Sequence, residues 1–185
     1  MQDSCSLIEK GEKYMTKILI AYFSRKGNNY VSGDIVNLRK GNTEIVAEKI
    51  QELTGGDLFE IKTVKQYDLD YTRCTQEAQE ELRAKARPEL KTEVKNMKDY
   101  DVIFIGFPNW WGTMPMAVFT FLESYDLAGK RICPFCTNEG SGMGHSEKDI
   151  KDLCPESKLE RGLALRGGGV NHAGKEIENW AADLK

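Results

Sequence analysis

The sequence predicts an α/β protein: a doubly wound parallel sheet with helices on both faces, three layers in all. Three observations carry this. Two short runs, Lys17-Ile-Leu-Ile-Ala-Tyr-Phe23 and Asp101-Val-Ile-Phe-Ile-Gly-Phe107, are apolar almost throughout and rich in β-branched and aromatic residues, as strands buried on both faces are. Segments of helical periodicity alternate with these runs and with three weaker strand segments. The loops after three of the strands have an unusual polar, aromatic and glycine-rich composition. Alternating strands and helices specify a parallel sheet covered on both sides, and right-handed crossovers wind it in both directions.

Taken in order, Lys17 to Phe23 is the first strand. Asn42 or Thr43 caps the helix that follows, in which Val46, Ile50 and Leu53 recur at i, i+4 and i+7 until Gly55-Gly56 stop it. Asp57 to Ile61 mixes apolar and acidic residues and suits a sheet edge. Thr75 to Arg87 is a charged helix with Ala78, Leu82 and Ala86 on one stripe, ended by Pro88. Its acidic run from Glu77 to Glu81, with Arg83, Lys85 and Arg87, reads as a solvated face. Leu90, Val94 and Met97 make a short second stripe. Asp101 to Phe107 is the third strand, and Thr113 caps the next helix, with Pro115 in its first turn and Val118, Phe119 and Leu122 beyond. Arg131 to Thr137 is the fourth strand, although Pro134 removes a ladder donor. Ser146 with Asp149 fits a capping box before Ile150 and Leu153. Leu159 to Leu165 is the last strand, and Asn171 opens a final helix with Ile177, Trp180, Ala181 and Leu184 on one face.

A chain of 185 residues fits one domain with a core of its own. Residues 1–15 read as an N-terminal extension, either frayed or a matter of start-codon choice, and residues 16–185 as the domain. The net charge of −3 argues against a nucleic-acid partner held through phosphates and against an anionic membrane surface. No apolar run approaches the ~18 residues of a membrane span. Five cysteines at irregular spacing do not form a disulfide framework, so the thiols are expected reduced and the protein cytoplasmic.

A ligand of a doubly wound sheet sits beyond the carboxyl ends of the strands. The first loop there runs from Ser24, Arg25 and Lys26 to Gly41, Asn42 and Thr43, where a helix N-terminus, two hydroxyls and nearby cations make an anion site. Alone it also fits, less well, a polar loop with an ordinary cap. The second is Pro108-Asn109-Trp110-Trp111-Gly112, whose indole faces suit an aromatic heterocycle, with one Trp expected to pack as core. The third is Thr137-Asn138-Glu139-Gly140-Ser141-Gly142, whose small residues expose backbone groups to a planar ligand or simply make a flexible connection.

Together these segments resemble the flavodoxins, in particular a bacterial flavodoxin-like group. The matching pieces are Ile20-Ala-Tyr-Phe-Ser-Arg25, Gly41-Asn-Thr43, Gly106-Phe-Pro-Asn-Trp-Trp-Gly112 and Thr137-Asn-Glu-Gly-Ser-Gly142, spread over almost the whole chain from Lys17. The resemblance implies a flavodoxin-like five-stranded sheet of order 2-1-3-4-5 and a bound flavin mononucleotide (FMN). Ser24, Asn42 and Thr43 would hold the phosphate, with Arg25 or Lys26 near. Trp110 or Trp111 would stack on the isoalloxazine, and Gly112 would offer its carbonyl to N5. Thr137 to Gly142 would line the ring's polar edge and the ribityl chain. The sequence departs from the family in the roughly dozen residues inserted between Gly27 and Lys40, a flap over the phosphate with Asn29 and Tyr30 as contacts. The fourth-strand loop also lacks a second stacking aromatic, leaving Met143 or His145 in that place or the face open.

Other chemistry fits less well. Cys133-Pro-Phe-Cys136 lies within a strand, where i and i+3 point to opposite faces, and not at the helix start that a redox dithiol needs. His145 and His172, the only histidines, have no partner at ligand spacing, and Ser24 has no evident base. With no acid–base residue assigned, two functions follow from the resemblance. One is an electron carrier that docks transiently to redox proteins; the other is an FMN-dependent oxidoreductase taking NAD(P)H and a quinone or other small acceptor. A flavin-free protein-binding module is a third, since fold does not decide function.

Overall fold

A computed structural model describes residues 16–182 and 184. The expected N-terminal extension lies outside the described residues. Five strand positions make the main sheet: β1 (Ile18–Tyr22), β4 (Asp57–Glu60), β5 (Val102–Pro108), β6 (Arg131–Asn138), and a last position split into β7 (Lys158–Leu159) and β8 (Leu163–Arg166). They run parallel in the order β4-β1-β5-β6, with β7 and β8 both on the far side of β6. This is the predicted order, with the acidic strand β4 at the edge. The count differs because the last strand is broken. Ile132 pairs with Leu159 and Phe135 with Leu163, so three steps along β6 face four along its neighbour, a one-residue bulge. Pro134 explains the place. Glu160 donates to the Ile132 carbonyl, and alternation sends the N–H that Pro134 lacks to that same side.

Central strands bury both faces by alternation. Leu19, Ala21, Ile103, Ile105, Phe107 and Ile132 pack on one side with α3 (Met116–Glu123) and α4 (Ser146–Leu153). Ile20, Tyr22, Phe104, Phe135, Leu163 and Leu165 pack on the other with α1 (Asn42–Thr54) and α5 (Gly174–Ala182). Cys136 belongs to the first core and Cys133 to the second, the opposite-face placement that their spacing requires. The fold is flavodoxin-like, three layers around a parallel sheet.

The local departures have local causes. α2 spans Tyr71–Ala84, starting four residues before Thr75, because the Asp70 side chain accepts from the Arg73 amide and caps it there. It ends before Ala86, at Lys85 in the left-handed conformation. Leu90, Val94 and Met97 form no helix. Leu90 instead pairs with Thr63 in an antiparallel bridge, and only Met97–Asp99 makes a 3-10 turn. α3 is capped by Pro115 and not by Thr113, whose hydroxyl bonds the Asp149 carboxylate. That contact takes Asp149 away from any capping box: His145 caps α4, and Ser146 lies inside it with a buried hydroxyl. Asn171 falls in a 3-10 turn, Gly167–His172, and α5 starts at Gly174.

The inserted segment is a β-hairpin. β2 (Gly27–Val31) and β3 (Asp34–Leu38) pair antiparallel as a separate two-stranded sheet. Their two-residue turn has both φ angles positive, 54° at Ser32 and 105° at Gly33, the geometry that matches strand twist in tight hairpins.

Candidate functional site

The chain leaves β1 for α1 and the edge strand β4, then crosses back to β5, so the winding reverses between β1 and β5. The loops after both strands open there at the carboxyl edge, where such sheets bind ligands. A cavity of about 260 Å³ lies at this place. At one end is the start of α1. Gly41 is its N-cap, extended at φ −71° and ψ 150°, with no side-chain cap of its own. Ser24 supplies one from β1's end: its hydroxyl accepts from the Glu44 amide at 3.1 Å. Only glycine allows this approach, since a Cβ on Gly41 would lie 2.2 Å from Ser24 Oγ and 2.5 Å from the Arg25 carbonyl. The amides of Asn42 and Thr43 meet no acceptor among the described residues. Two free N–H groups at the positive end of a helix dipole make an anion cradle.

Of the two expected cations, one lines the cavity. Arg25 lines the cavity with its guanidinium pinned by three backbone carbonyls, Asn28 at 3.1 Å, Asp68 at 2.8 Å and Leu69 at 2.9 Å. Lys26 is exposed and away from it. Lys40 turns back to Glu48 at 2.6 Å. The Thr43 hydroxyl is buried against that of Thr137 at 2.8 Å, which joins the first loop to the third.

The other end is aromatic. Trp110 meets Phe23 and Tyr67 edge-on, with ring centroids 5.2 and 5.1 Å away, and lines the cavity with Pro108 and Asn109. It is the indole that packs toward the core. Trp111 stands 51% exposed, its indole N–H donating to the Thr75 carbonyl at 2.9 Å. A second cavity, about 370 Å³, opens between Trp111, Trp110, Tyr71, Cys74 and Thr75, and shares Arg25, Asn29 and Asn109 with the first. Burial pushes the Tyr71 hydroxyl up and the Cys74 thiol up to about 11, against the opposing pull of Arg25. Both are protonated near neutral pH.

Side chains of the loops tie this end together. Asn109 donates to the Gly142 carbonyl at 2.9 Å and accepts from the Gly112 amide at 3.0 Å. Asn138 accepts from the amides of Gly140 and Gly142, closing the third loop on itself. The hairpin leans over the first cavity, with Asn29 and Tyr30 in its wall, and Tyr30 stacks on Tyr71 at 6.3 Å.

A family model described as Flavodoxin matches residues 17–184. The chain belongs to the flavodoxin family. Its fold is similar to that of a Bacteroides eggerthii protein assigned as a flavoprotein, 32% identical at a TM-score of 0.74 over 92% of this chain and 98% of that one. A similarly assigned protein from Bacteroides uniformis is 30% identical at a TM-score of 0.73, over 90% and 98%. The Lactobacillus acidophilus flavoprotein in complex with FMN shares the fold at 23% identity and a TM-score of 0.63, over 90% and 99%. No curated protein matches the chain.

The structure brings Arg25, Asn42, Thr43, Pro108, Asn109, Trp110, Thr137, Asn138, Glu139 and Ser141 into one cavity wall. Trp111 lines the adjoining cavity. Ser24, Gly41, Gly112, Gly140 and Gly142 shape the loops from behind; Lys26 stays outside. The Gly112 carbonyl accepts the His145 amide at 2.7 Å, which leaves it one lone pair. Met143 packs against the first core, and neither it nor His145 lines the cavity, which leaves the alternative of an open ring face. Tyr71 and Gly167 are the lining residues that sequence reasoning missed. Tyr71 had a readable signal: it follows a helix-capping Asp in the loop after the edge strand, at the same carboxyl edge.

Proposed function

We propose that this protein binds FMN in the cavity between the start of α1 and Trp110 and works as an electron-transfer flavodoxin. One observation carries the reading: two free helix amides at one end of a cavity whose other end is walled by Trp110 and Tyr71. That arrangement suits a ligand with a phosphate at one end and a flat aromatic system at the other. Asn42, Thr43 and the α1 dipole would hold the phosphate, with the pinned guanidinium of Arg25 as the nearby positive charge. Pro108, Asn109 and Trp110 would flank the ring, and Asn138, Glu139 and Ser141 its chain and polar edge. Bound there, FMN would supply the one- and two-electron redox chemistry, and the protein its position and surroundings. Thr137 and Thr43, bonded to each other, hold the two walls in register.

Purified protein titrated with FMN and riboflavin, followed by quenching of flavin fluorescence, tests this. Asn42→Asp sets a carboxylate at the cradle, so it should weaken FMN by roughly tenfold or more, about 1.4 kcal/mol, and riboflavin hardly at all. Equal loss for both would remove the phosphate from this place, and no FMN binding by the unaltered protein would end the proposal.

The second cavity favours a second reading, an FMN-dependent oxidoreductase that takes a small acceptor or NAD(P)H beside Trp111. A carrier takes up electrons in two separate one-electron steps and does not turn over NAD(P)H with a quinone. An oxidoreductase does turn them over, and Trp111→Ala should then raise KM for the acceptor.

A further inference from the structure

We propose that the second cavity takes a small, flat aromatic anion, with its ring among Trp110, Trp111 and Tyr71 and its charge on Arg25. The inference deepens the second reading above by naming the class of molecule held beside Trp111, and rests on it for the place of FMN in the first cavity. The two cavities differ in charge. Glu139 lines the first together with Arg25, whereas Arg25 lines the second with no carboxylate. The Tyr71 hydroxyl and the Cys74 thiol keep their protons near neutral pH, so no anionic side chain in that wall offsets the guanidinium.

The guanidinium is held ready for an anion. All three of its hydrogen bonds go to backbone carbonyls, and it meets no carboxylate among the described residues. A guanidinium has five N–H donors, so two remain. Two of the carbonyls, those of Asp68 and Leu69, stand just before α2, whose first residues Tyr71, Cys74 and Thr75 line the second cavity. The head group is therefore fixed on the α2 side, where that cavity opens. The acids of the same segment are engaged. Asp68 accepts the Asp70 amide and faces Arg73 at 3.7 Å, and Glu77 accepts the Asp68 amide and meets Lys65 at 3.2 Å. A half-buried cation held by carbonyl dipoles alone is little screened and pairs strongly with a ligand carboxylate or phenolate. The flat body follows from the other walls. Trp111, bonded to the Thr75 carbonyl, spans from the loop after β5 to α2, and with Trp110 and Tyr71 it encloses about 370 Å³. Three aromatic side chains suit a planar apolar ring. A neutral ring such as nicotinamide would use these walls and leave the charge unanswered.

Two probes of one shape and different charge, 2-naphthoate and 2-naphthamide, test this by isothermal titration calorimetry near neutral pH, on the protein alone and saturated with FMN. Naphthoate should bind roughly tenfold more tightly or better, and FMN should change its affinity by no more than about twofold. Arg25→Gln should bring naphthoate down to the level of naphthamide. Thr75→Glu sets a carboxylate in the wall of the second cavity and should do the same, while Thr75→Gln should keep the preference; this pair decides the matter if Arg25→Gln fails to fold. Equal affinity for the two probes would make the cavity indifferent to charge, and no binding of either would remove the site. Displacement of naphthoate by FMN would give the cavity to the flavin ring. A preference for naphthoate that survives Thr75→Glu would place the anion elsewhere. Each of these results overturns the proposal while FMN binding stands. If the protein binds no flavin, the FMN reading falls, and the ratio of the two probes in the protein alone still decides this one.

Discussion

Gly106 shows how a single missing side chain positions the site. It sits in β5, and a Cβ there would lie 2.1 to 2.8 Å from three ring carbons of Phe135, a fully buried side chain of the neighbouring strand. The space is filled by the ring, so Gly106→Ala should destabilise the protein by about 2 kcal/mol or more through overpacking, read as a lower urea midpoint. Trp111 shows a cost of a different kind. It adopts φ 56°, a left-handed conformation that bulky residues avoid, in the tight turn that Trp110 and Thr113 close by mutual backbone bonds. Such strain collects where the surrounding structure over-determines it, often at functional sites. The Trp pair was legible as a pair. Which indole faces inward was not, because that depends on Phe23 and Tyr67, which arrive from other loops.

At the scale of elements, the hairpin is where sequence reasoning saw least. The insertion was visible, and Asn29 and Tyr30 were expected near the ligand, but no strands were expected within it. The signal was present: Ser32-Gly33 between Asn-Asn-Tyr-Val and Asp-Ile-Val-Asn is a two-residue turn between short runs containing β-branched residues. Its weak apolar alternation hid it, since neither face of the hairpin is fully buried. Gly33→Val forces a β-branched residue to φ 105° and should open the turn. The expected result is rapid proteolytic cleavage within residues 27–38 with little change in the melting midpoint, because the hairpin pairs only with itself. A large drop in the midpoint would mean that the hairpin supports the main sheet. α1 illustrates the reverse case. Its stripe was readable, and its cap was not: Ser24, eighteen residues before Asn42, takes that role across space. Ser24→Ala should cost about 1 kcal/mol in chemical denaturation.

For the molecule as a whole, the described thiols act together. Cys74, Cys133, Cys136 and Cys154 are all buried and unpaired. Burial pushes Cys74 and Cys154 up to about 11 and Cys133 and Cys136 up to about 12, from an ordinary value of 9.0. Tyr100, buried and donating to Asp57, rises likewise to about 12. In each case the folded state holds the proton more tightly than the unfolded chain. Their stabilisation is complete below pH 9 and is lost as pH climbs through 11 to 12. The melting midpoint should therefore fall between about pH 9 and 12. In a Cys5→Ser background, a thiol reagent at pH 8 should react only after unfolding. Fast reaction of the native protein would contradict the burial of these four thiols taken together.

The sequence by itself determined the layers and the three loops that converge on the cavity, because period-2 and period-3.6 patterns and loop composition are local properties; the order of strands came from the resemblance to the flavodoxins. Even the weakness at Pro134 was readable, since a missing donor belongs to one residue. Only the tertiary structure decided which groups remain free once neighbours have taken theirs. The Ser24 hydroxyl accepts the Glu44 amide, that of Thr43 pairs with Thr137, the Gly112 carbonyl takes the His145 amide, and Lys40 goes to Glu48. At the cavity, what stays without a partner among the described residues is two α1 amides and, buried, one oxygen of Glu139. A hydrogen bond is decided by what lies within 3 Å, and residues distant in the chain supply most of those partners.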